Sequence, residues 1–224
     1  MDRFKETSSG VLIFYIPTID HINTAKIPCV GGHPKNIILL TCDAFGVLPP
    51  VAKLTSDQVM YHFISGYTTK VPGTEDGIVE PQATFSACFG APFLVLHPQR
   101  YASMLADKMS NHKANAWLIN TGWIGGKAGV AKRCPLKYTR AILNAIHNGE
   151  LANAEFENYD VFNLQVPKKV TNVPDEMLDP RQVWMGTKEE FDASLTNVAN
   201  MFIENFKTYE DEAAPQTLAA GPKL

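Results

Sequence analysis

Apolar residues along this chain occur as short runs and as spaced stripes, and the two patterns alternate. Ile37-Ile38-Leu39-Leu40-Thr41 is a short, partly β-branched run that predicts a buried strand. It breaks at Cys42-Asp43-Ala44-Phe45-Gly46, small and polar enough to turn, and Pro49-Pro50 then marks an extended segment. Phe93 to Leu96 and Ala116 to Asn120 read as further buried strands, and the alternation from Val161 to Val166 as another. Helical patterns lie between them. Thr55-Ser56-Asp57-Gln58 has the form of a capping box, so a helix follows it to about Ser65 and stops at Gly66. His97-Pro98 opens a second helix, with Tyr101, Met104, Leu105 and Met109 on one face. Pro135 stands where a third begins; it carries Ala141, Ile142, Ala145 and Ile146, and Gly149 closes it. Thr187-Lys188-Glu189-Glu190 is a second capping box, heading a long stripe of Phe191, Leu195, Val198, Phe202 and Phe206. Strands interleaved with helices predict an α/β, or mixed α+β, fold.

Three stretches fall outside this rhythm. From Gly66 to Pro81 the chain has neither helical nor strand period. Gly66, Gly73 and Gly77 give it hinge freedom, Thr68, Thr69 and Thr74 supply hydroxyls, and Lys70 a cation. A segment of that kind suits a mobile lid that closes over a charged substrate, or else an unstructured surface loop. Residues 1–17 run from a polar lead into Val11 to Ile16 and then Pro17, an apolar strand at a terminus with no evident partner. They are treated as a divergent segment, separate from 18–224. The tail after Asp211, rich in Ala, Pro and Gly, is expected to be weakly ordered.

Composition removes several classes of function. The formal charge is −3 and no basic block appears, so no electrostatic footprint for nucleic acid is expected. The longest pure apolar run, Val11 to Ile16, is too short to span a bilayer. Asp2 and Glu6 spoil a signal-peptide reading of the start. A soluble, cytoplasmic protein is expected. Cys29, Cys42, Cys88 and Cys134 show no paired spacing and read as reduced thiols in a core or site, with no metal cluster among them.

Gly125-Gly126-Lys127 invites a phosphate-loop reading, which needs G-x-x-x-x-G-K-[ST] so that backbone amides wrap the phosphates and a hydroxyl holds Mg²⁺. Here Gly122 is one residue too close and Ala128 replaces the hydroxyl, so a flexible basic loop is the better reading. Arg133 and Thr139 bracket a helix start, where an arginine can meet a nucleotide. On residue chemistry alone a solvated arginine and a first-turn threonine explain them better. Asp43 is by default a turn former, His62 a structural helix residue and His97 a helix-start residue.

A set of longer motifs resembles one family. Lys35 to Pro50, Tyr61-His62-Phe63-Ile64-Ser65-Gly66-Tyr67-Thr68 with Gly73-Thr74-Glu75 after it, and Phe85-Ser86-Ala87-Cys88-Phe89-Gly90 look like the ATP-dependent phosphoenolpyruvate carboxykinases. So do Asn120-Thr121-Gly122-Trp123, Thr139-Arg140-Ala141-Ile142 and Ala219-Ala220-Gly221-Pro222. Lys132 to Arg140 looks most like fungal members. The resemblance runs from about Thr18 to Leu224. It implies a partial C-terminal mononucleotide-binding domain of the carboxykinase fold, lacking its P-loop part. It implies the reaction that opens gluconeogenesis: oxaloacetate plus ATP gives phosphoenolpyruvate, CO₂ and ADP, with Mn²⁺ and Mg²⁺ as cofactors. By resemblance Arg133, Cys134 and Thr139 hold the adenine end of ATP, and Gly66, Thr68, Lys70, Gly73, Thr74, Glu75 and Gly77 belong to the lid. The family's P-loop, its metal-binding Lys, His and Asp and its substrate arginines would precede the resembling region, and a further family arginine falls on Phe14. No metal ligand is therefore assigned, and the chain alone is expected to be inactive. The alternative expectation is a non-catalytic fragment that binds nucleotide or pairs with full-length subunits.

Overall fold

The computed structural model describes residues 22–73 and 76–224, with the backbone alone of 4–6 and 12–14. The chain divides into two units, 1–33 and 34–224. In the first, β1 (Phe4–Glu6) pairs antiparallel with β2 (Leu12–Phe14), Phe4 opposite Phe14. Part of the apolar run expected to stand alone at the terminus thus has a partner strand. The rest of 1–17 lies outside the described residues.

The second unit is built on a five-stranded mixed sheet. Its strands are β3 (Asn36–Thr41), β4 (Val51–Leu54), β7 (Asn115–Asn120), β8 (Phe156–Tyr159) and β9 (Leu164–Pro167), in the order β3-β7-β4-β9-β8. Only β3 and β7 run parallel; the other pairings in this sheet are antiparallel. A smaller sheet pairs β5 (Tyr67–Lys70) with β6 (Gln82–Phe85), Tyr67 opposite Phe85 and Lys70 opposite Gln82. The mixed α/β architecture read from the sequence is what the chain adopts.

The helices form where their caps and stripes place them. α1 (Ser56–Ser65) starts at a complete Thr55/Gln58 capping box and ends on Gly66 in the left-handed region at φ 54°. α2 (Pro98–His112) has His97 as N-cap, its side chain accepting from the Gln99 amide. α3 (Leu136–His147) follows Pro135. α4 (Lys188–Phe206) starts at the Thr187/Glu190 capping box, and its stripe Phe191, Leu195, Val198, Phe202 and Phe206 is buried throughout. Phe202 is the centre of an aromatic cluster: it meets Tyr67 at 4.8 Å between ring centroids and Phe85 and Phe162 at 5.3 Å. Tyr61 stacks on Phe206 at 4.3 Å. Burying several aromatic rings in one contact network supplies much of the apolar stabilisation that a domain of this size needs.

Four segments fold differently from what their sequence patterns predict. Phe93 to Leu96 is not a strand: Ala91–Phe93 is a single 3₁₀ turn, and Phe93 and Val95 are 86% and 87% exposed. The amides of Val95 and Leu96 donate to the Tyr101 hydroxyl instead of to a ladder. In the 161–166 stretch, Val161 and Asn163 adopt positive φ, so the strand begins only at Leu164. Gly66 to Pro81 is not structureless throughout, since Tyr67–Lys70 pairs as β5. There Tyr67 and Thr69 are buried and Thr68 and Lys70 are half-buried, an ordinary period of two. Finally, the tail contains a short helix, α5 (Pro215–Ala219), in which Thr217 is fully buried.

His62 lies inside α1, edge-on to Phe202 at 5.6 Å, and burial lowers its pKa from 6.5 to about 4. The folded state therefore resists a proton that the unfolded chain accepts, so stability is full above pH 6.5 and falls as the pH drops towards 4. The loss should reach about 3 kcal/mol in urea unfolding curves across that window, and His62→Phe should flatten it. Phe202→Ala is expected to cost about 3–5 kcal/mol in the same measurement, and Met104→Ala, at a 60% exposed position, within about 0.5 kcal/mol of nothing.

Candidate functional site

The parallel pair β3 and β7 ends in two polar residues side by side, Thr41 opposite Asn120, and the chain leaves both strands there. Just beyond β3, Asp43 is fully buried. Its carboxylate accepts from the amides of Phe45 (2.9 Å), Val47 (2.7 Å) and Leu48 (2.9 Å) and from the Tyr67 hydroxyl (3.0 Å). It is the turn former that a lone acid in this context suggests. Burial pushes the carboxyl above its ordinary pKa, and the amides of Leu48, Phe45 and Val47 with the Tyr67 hydroxyl pull it back. Burial and the neighbouring Asp43 charge raise Tyr67 well above its own ordinary value, so it stays a proton donor.

Asn120 joins the two strand ends. Its Oδ1 accepts from the amides of Asp43 (3.0 Å) and Gly122 (2.8 Å), and its Nδ2 donates to the Leu48 carbonyl at 2.9 Å. The loop after β7 then lies directly on the turn after β3: the Trp123 amide donates to the Asp43 carbonyl at 2.8 Å and the Gly125 amide to that of Gly46 at 3.0 Å. A Cβ on Gly122 would fall 2.3 Å from the Asp43 amide nitrogen, and one on Gly46 2.1 Å from the Gly126 carbonyl oxygen. Gly122, one of the glycines that suggested a phosphate loop, and Gly46 opposite permit this close backbone approach, while the missing Cβ of Gly125 faces Val183 and that of Gly126 faces Ala131.

Arg133, Cys134 and Thr139 are brought together by the return of this loop into α3. The Cys134 amide donates to the Gly122 carbonyl at 2.7 Å, and the Thr139 hydroxyl lies 3.7 Å from the Cys134 sulfur. The Arg133 Nε donates to the Thr121 carbonyl at 3.2 Å, its Nη2 lies 3.7 Å from the Cys42 sulfur, and its guanidinium covers the Trp123 ring at 5.3 Å. Burial raises the pKa of both thiols against the opposing Arg133 charge, so Cys42 and Cys134 are neutral, weakly polar surfaces at physiological pH rather than nucleophiles. Pro135 gives α3 no side-chain cap, so the dipole of its first turn adds to the Arg133 charge. Chemically this is a cation and a hydroxyl beside a small neutral sulfur surface.

The lid residues divide. Gly66 caps α1, while Thr68 and Lys70 lie in β5 opposite Thr84 and Gln82. Gly73 and Gly77 take positive φ in the connection from 71 to 81. Thr74 and Glu75 lie outside the described residues. Residue chemistry alone missed Tyr67 and Asn120; it took Thr69 as a lid hydroxyl and Cys42 as a core or site thiol. Motif content signalled Asn120, whose amide satisfies two strand ends at once. Among the described residues no group of three or more His, Cys, Asp or Glu side chains comes together that could hold a metal ion. No helix among them is long and apolar enough to cross a membrane.

A family model described as phosphoenolpyruvate carboxykinase matches residues 13–176. The chain is 64% identical over 206 residues to the phosphoenolpyruvate carboxykinase (ATP) of Neurospora crassa, a match covering 91% of this chain and 34% of that protein. It is 63% identical over 208 residues to that of Saccharomyces cerevisiae, 92% of this chain and 38% of that protein. With that of Dictyostelium discoideum it shares 55% over 206 residues, 92% and 36%. The chain spans about a third of the length of the curated relatives it matches.

Asn120→Ala should strand the Asp43 and Gly122 amides and the Leu48 carbonyl without partners. A loss of about 3 kcal/mol or more is expected in urea unfolding.

Proposed function

The chain belongs to the phosphoenolpyruvate carboxykinase family, and on that premise we propose that it forms the base-binding side of an ATP site in a carboxykinase acting on oxaloacetate. In that reaction the bond between the departing carboxylate and its neighbouring carbon breaks, CO₂ leaves and the electron pair stays as an enolate. The enolate oxygen then attacks the γ-phosphorus, and the bond from that phosphorus to the ADP oxygen breaks. Among the described residues no cluster of His, Cys, Asp or Glu side chains fits a Mn²⁺ or Mg²⁺ site.

What supports the reading is the convergence of Arg133, Cys134 and Thr139 on one loop–helix junction, within a chain whose relatives are named for ATP. The adenine would lie against Cys134 and the head of α3, with Arg133 offering its remaining guanidinium donors to the base or ribose and Thr139 a hydroxyl. The Gly66–Pro81 segment would close over the phosphate side, and catalysis would need phosphate and metal groups beyond the described residues. A cytoplasmic site of action fits a gluconeogenic role.

A second reading, association with full-length subunits, is favoured by the exposed apolar segment at Phe93, Val95 and Leu96. Co-purification with an intact carboxykinase that survives Phe93→Asp and Val95→Asp would count against that surface.

Calorimetry decides the primary reading. ATP should bind the purified chain at millimolar concentration, and Arg133→Ala should weaken binding at least about tenfold, the loss of a charge-assisted hydrogen bond or more. Absence of binding to the unaltered chain would overturn it. With ATP, Mn²⁺ and oxaloacetate, the chain alone should release no CO₂ above the rate with metal alone.

A further inference from the structure

Resting on the reading of Arg133 as a nucleotide contact, we infer that Tyr67 and Thr69 are positioning residues that couple the strand entering the glycine-rich connection to the nucleotide side of the site. The observation is that three consecutive residues at the end of β3 are held from two sides at once. From one side come the side chains and backbone of β5. The Thr41 hydroxyl donates to the Tyr67 carbonyl at 2.7 Å, the Tyr67 hydroxyl donates to the Asp43 carboxylate at 3.0 Å, and the Thr69 hydroxyl donates to the Cys42 carbonyl. From the other side comes the 121–134 loop. The Thr121 amide (2.9 Å) and hydroxyl (3.1 Å) both donate to the Thr41 carbonyl, the Trp123 amide donates to the Asp43 carbonyl at 2.8 Å, and Arg133 Nη2 lies 3.7 Å from the Cys42 sulfur.

Cys42 is the narrowest link. Its carbonyl accepts from Thr69 of β5 and its sulfur lies 3.7 Å from Arg133 Nη2, so a movement of either partner acts on a single residue. The residue is buried, which leaves it little room to absorb a shift without passing it on. The β5–β6 hairpin is also rooted rigidly at its base. The Ser86 amide donates to the Gly66 carbonyl at 3.2 Å, and a Cβ on Gly66 would come within 1.8 Å of the Ser86 carbonyl oxygen. Beyond Lys70 and Gln82 the ladder stops, and Gly73 and Gly77 take over. A displacement of β5 at Tyr67 and Thr69 is therefore delivered to the connection rather than lost at the hairpin base. Alternate residues of β5 do this, because the period of two puts Tyr67 and Thr69 on the face towards β3. Coupling between two sites is reciprocal: a nucleotide that draws Arg133 changes the order of the hairpin, and the hairpin changes nucleotide affinity by the same factor.

Two measurements on the whole chain test this. In the first, no nucleotide is present. Arg133 is exposed, so Arg133→Ala leaves the fold intact, and it should speed backbone amide exchange in 67–70 and 82–85 by on the order of tenfold while α4 is unchanged. A uniform destabilisation would speed α4 as well. Wild-type exchange rates in the hairpin, or equal acceleration in α4, would overturn the coupling. In the second, the double variant Tyr67→Phe with Thr69→Val keeps ring and methyl packing and removes both hydroxyls. Its ATP affinity should fall about fivefold or more, and nucleotide should no longer slow exchange in 67–70 and 82–85. Unchanged affinity together with retained protection would again overturn it. If the unaltered chain binds no ATP, the nucleotide reading falls, and the nucleotide-free exchange of Arg133→Ala still decides whether the junction transmits.

Discussion

A buried carboxylate is tolerable only when its acceptor capacity is filled, and Asp43 is held by three backbone amides and one phenol. The amides come from its own turn, so the residue folds the chain around itself at the point where β3 ends. The phenol comes from Tyr67, which ties that turn to the smaller sheet. Asn120 completes the arrangement from the neighbouring strand, taking the Asp43 amide and giving its own amide protons to Leu48. Arg133, Cys134 and Thr139 reach their positions because the loop that carries them is hydrogen-bonded to this turn. Without the carboxylate the amides of Phe45, Val47 and Leu48 would be buried with nothing to accept from them.

Much of the frame could be read from the sequence because it is encoded locally. Both capping boxes, the stop at Gly66 and the stripe from Phe191 to Phe206 depend on neighbours within a turn or two, and the structure bears each of them out. The misreadings share a different cause. Phe93 to Leu96 is apolar enough for a strand, but among the described residues no strand pairs with it and Tyr101 takes the Val95 and Leu96 amides. Tyr67–Lys70 looked irregular because its partner, Gln82–Phe85, lies across a glycine-rich connection. At the site, the cluster of Arg133, Cys134 and Thr139 was implied by motif resemblance; charge and spacing alone favoured a surface arginine. What made the difference is Gly122, whose missing Cβ lets the loop lie on the Asp43 backbone and swings Arg133 back over Cys42. No local pattern around Arg133 announces that contact.

The chemistry of the two thiols follows from the same geometry. Cys42 and Cys134 stand near a guanidinium, the usual setting for an activated cysteine, yet burial prevails and holds both protonated. Under the proposed ATP reading, Cys134 would contribute shape and polarizability: a sulfur offers a base edge a soft contact where an oxygen would demand a partner.

The pairing of β3 with β7 also sets an order of events in synthesis. Asp43 can collect the amides of its own turn as soon as that turn has left the ribosome, but the side chain that accepts from its backbone amide lies 77 residues further on. Until Asn120 emerges, β3 has no neighbour within the five-stranded sheet, since β7 alone pairs with it. The apolar run Ile37 to Leu40 therefore meets its partner in this sheet only after two helices and a hairpin have been made. Contacts of such long separation form late and slowly.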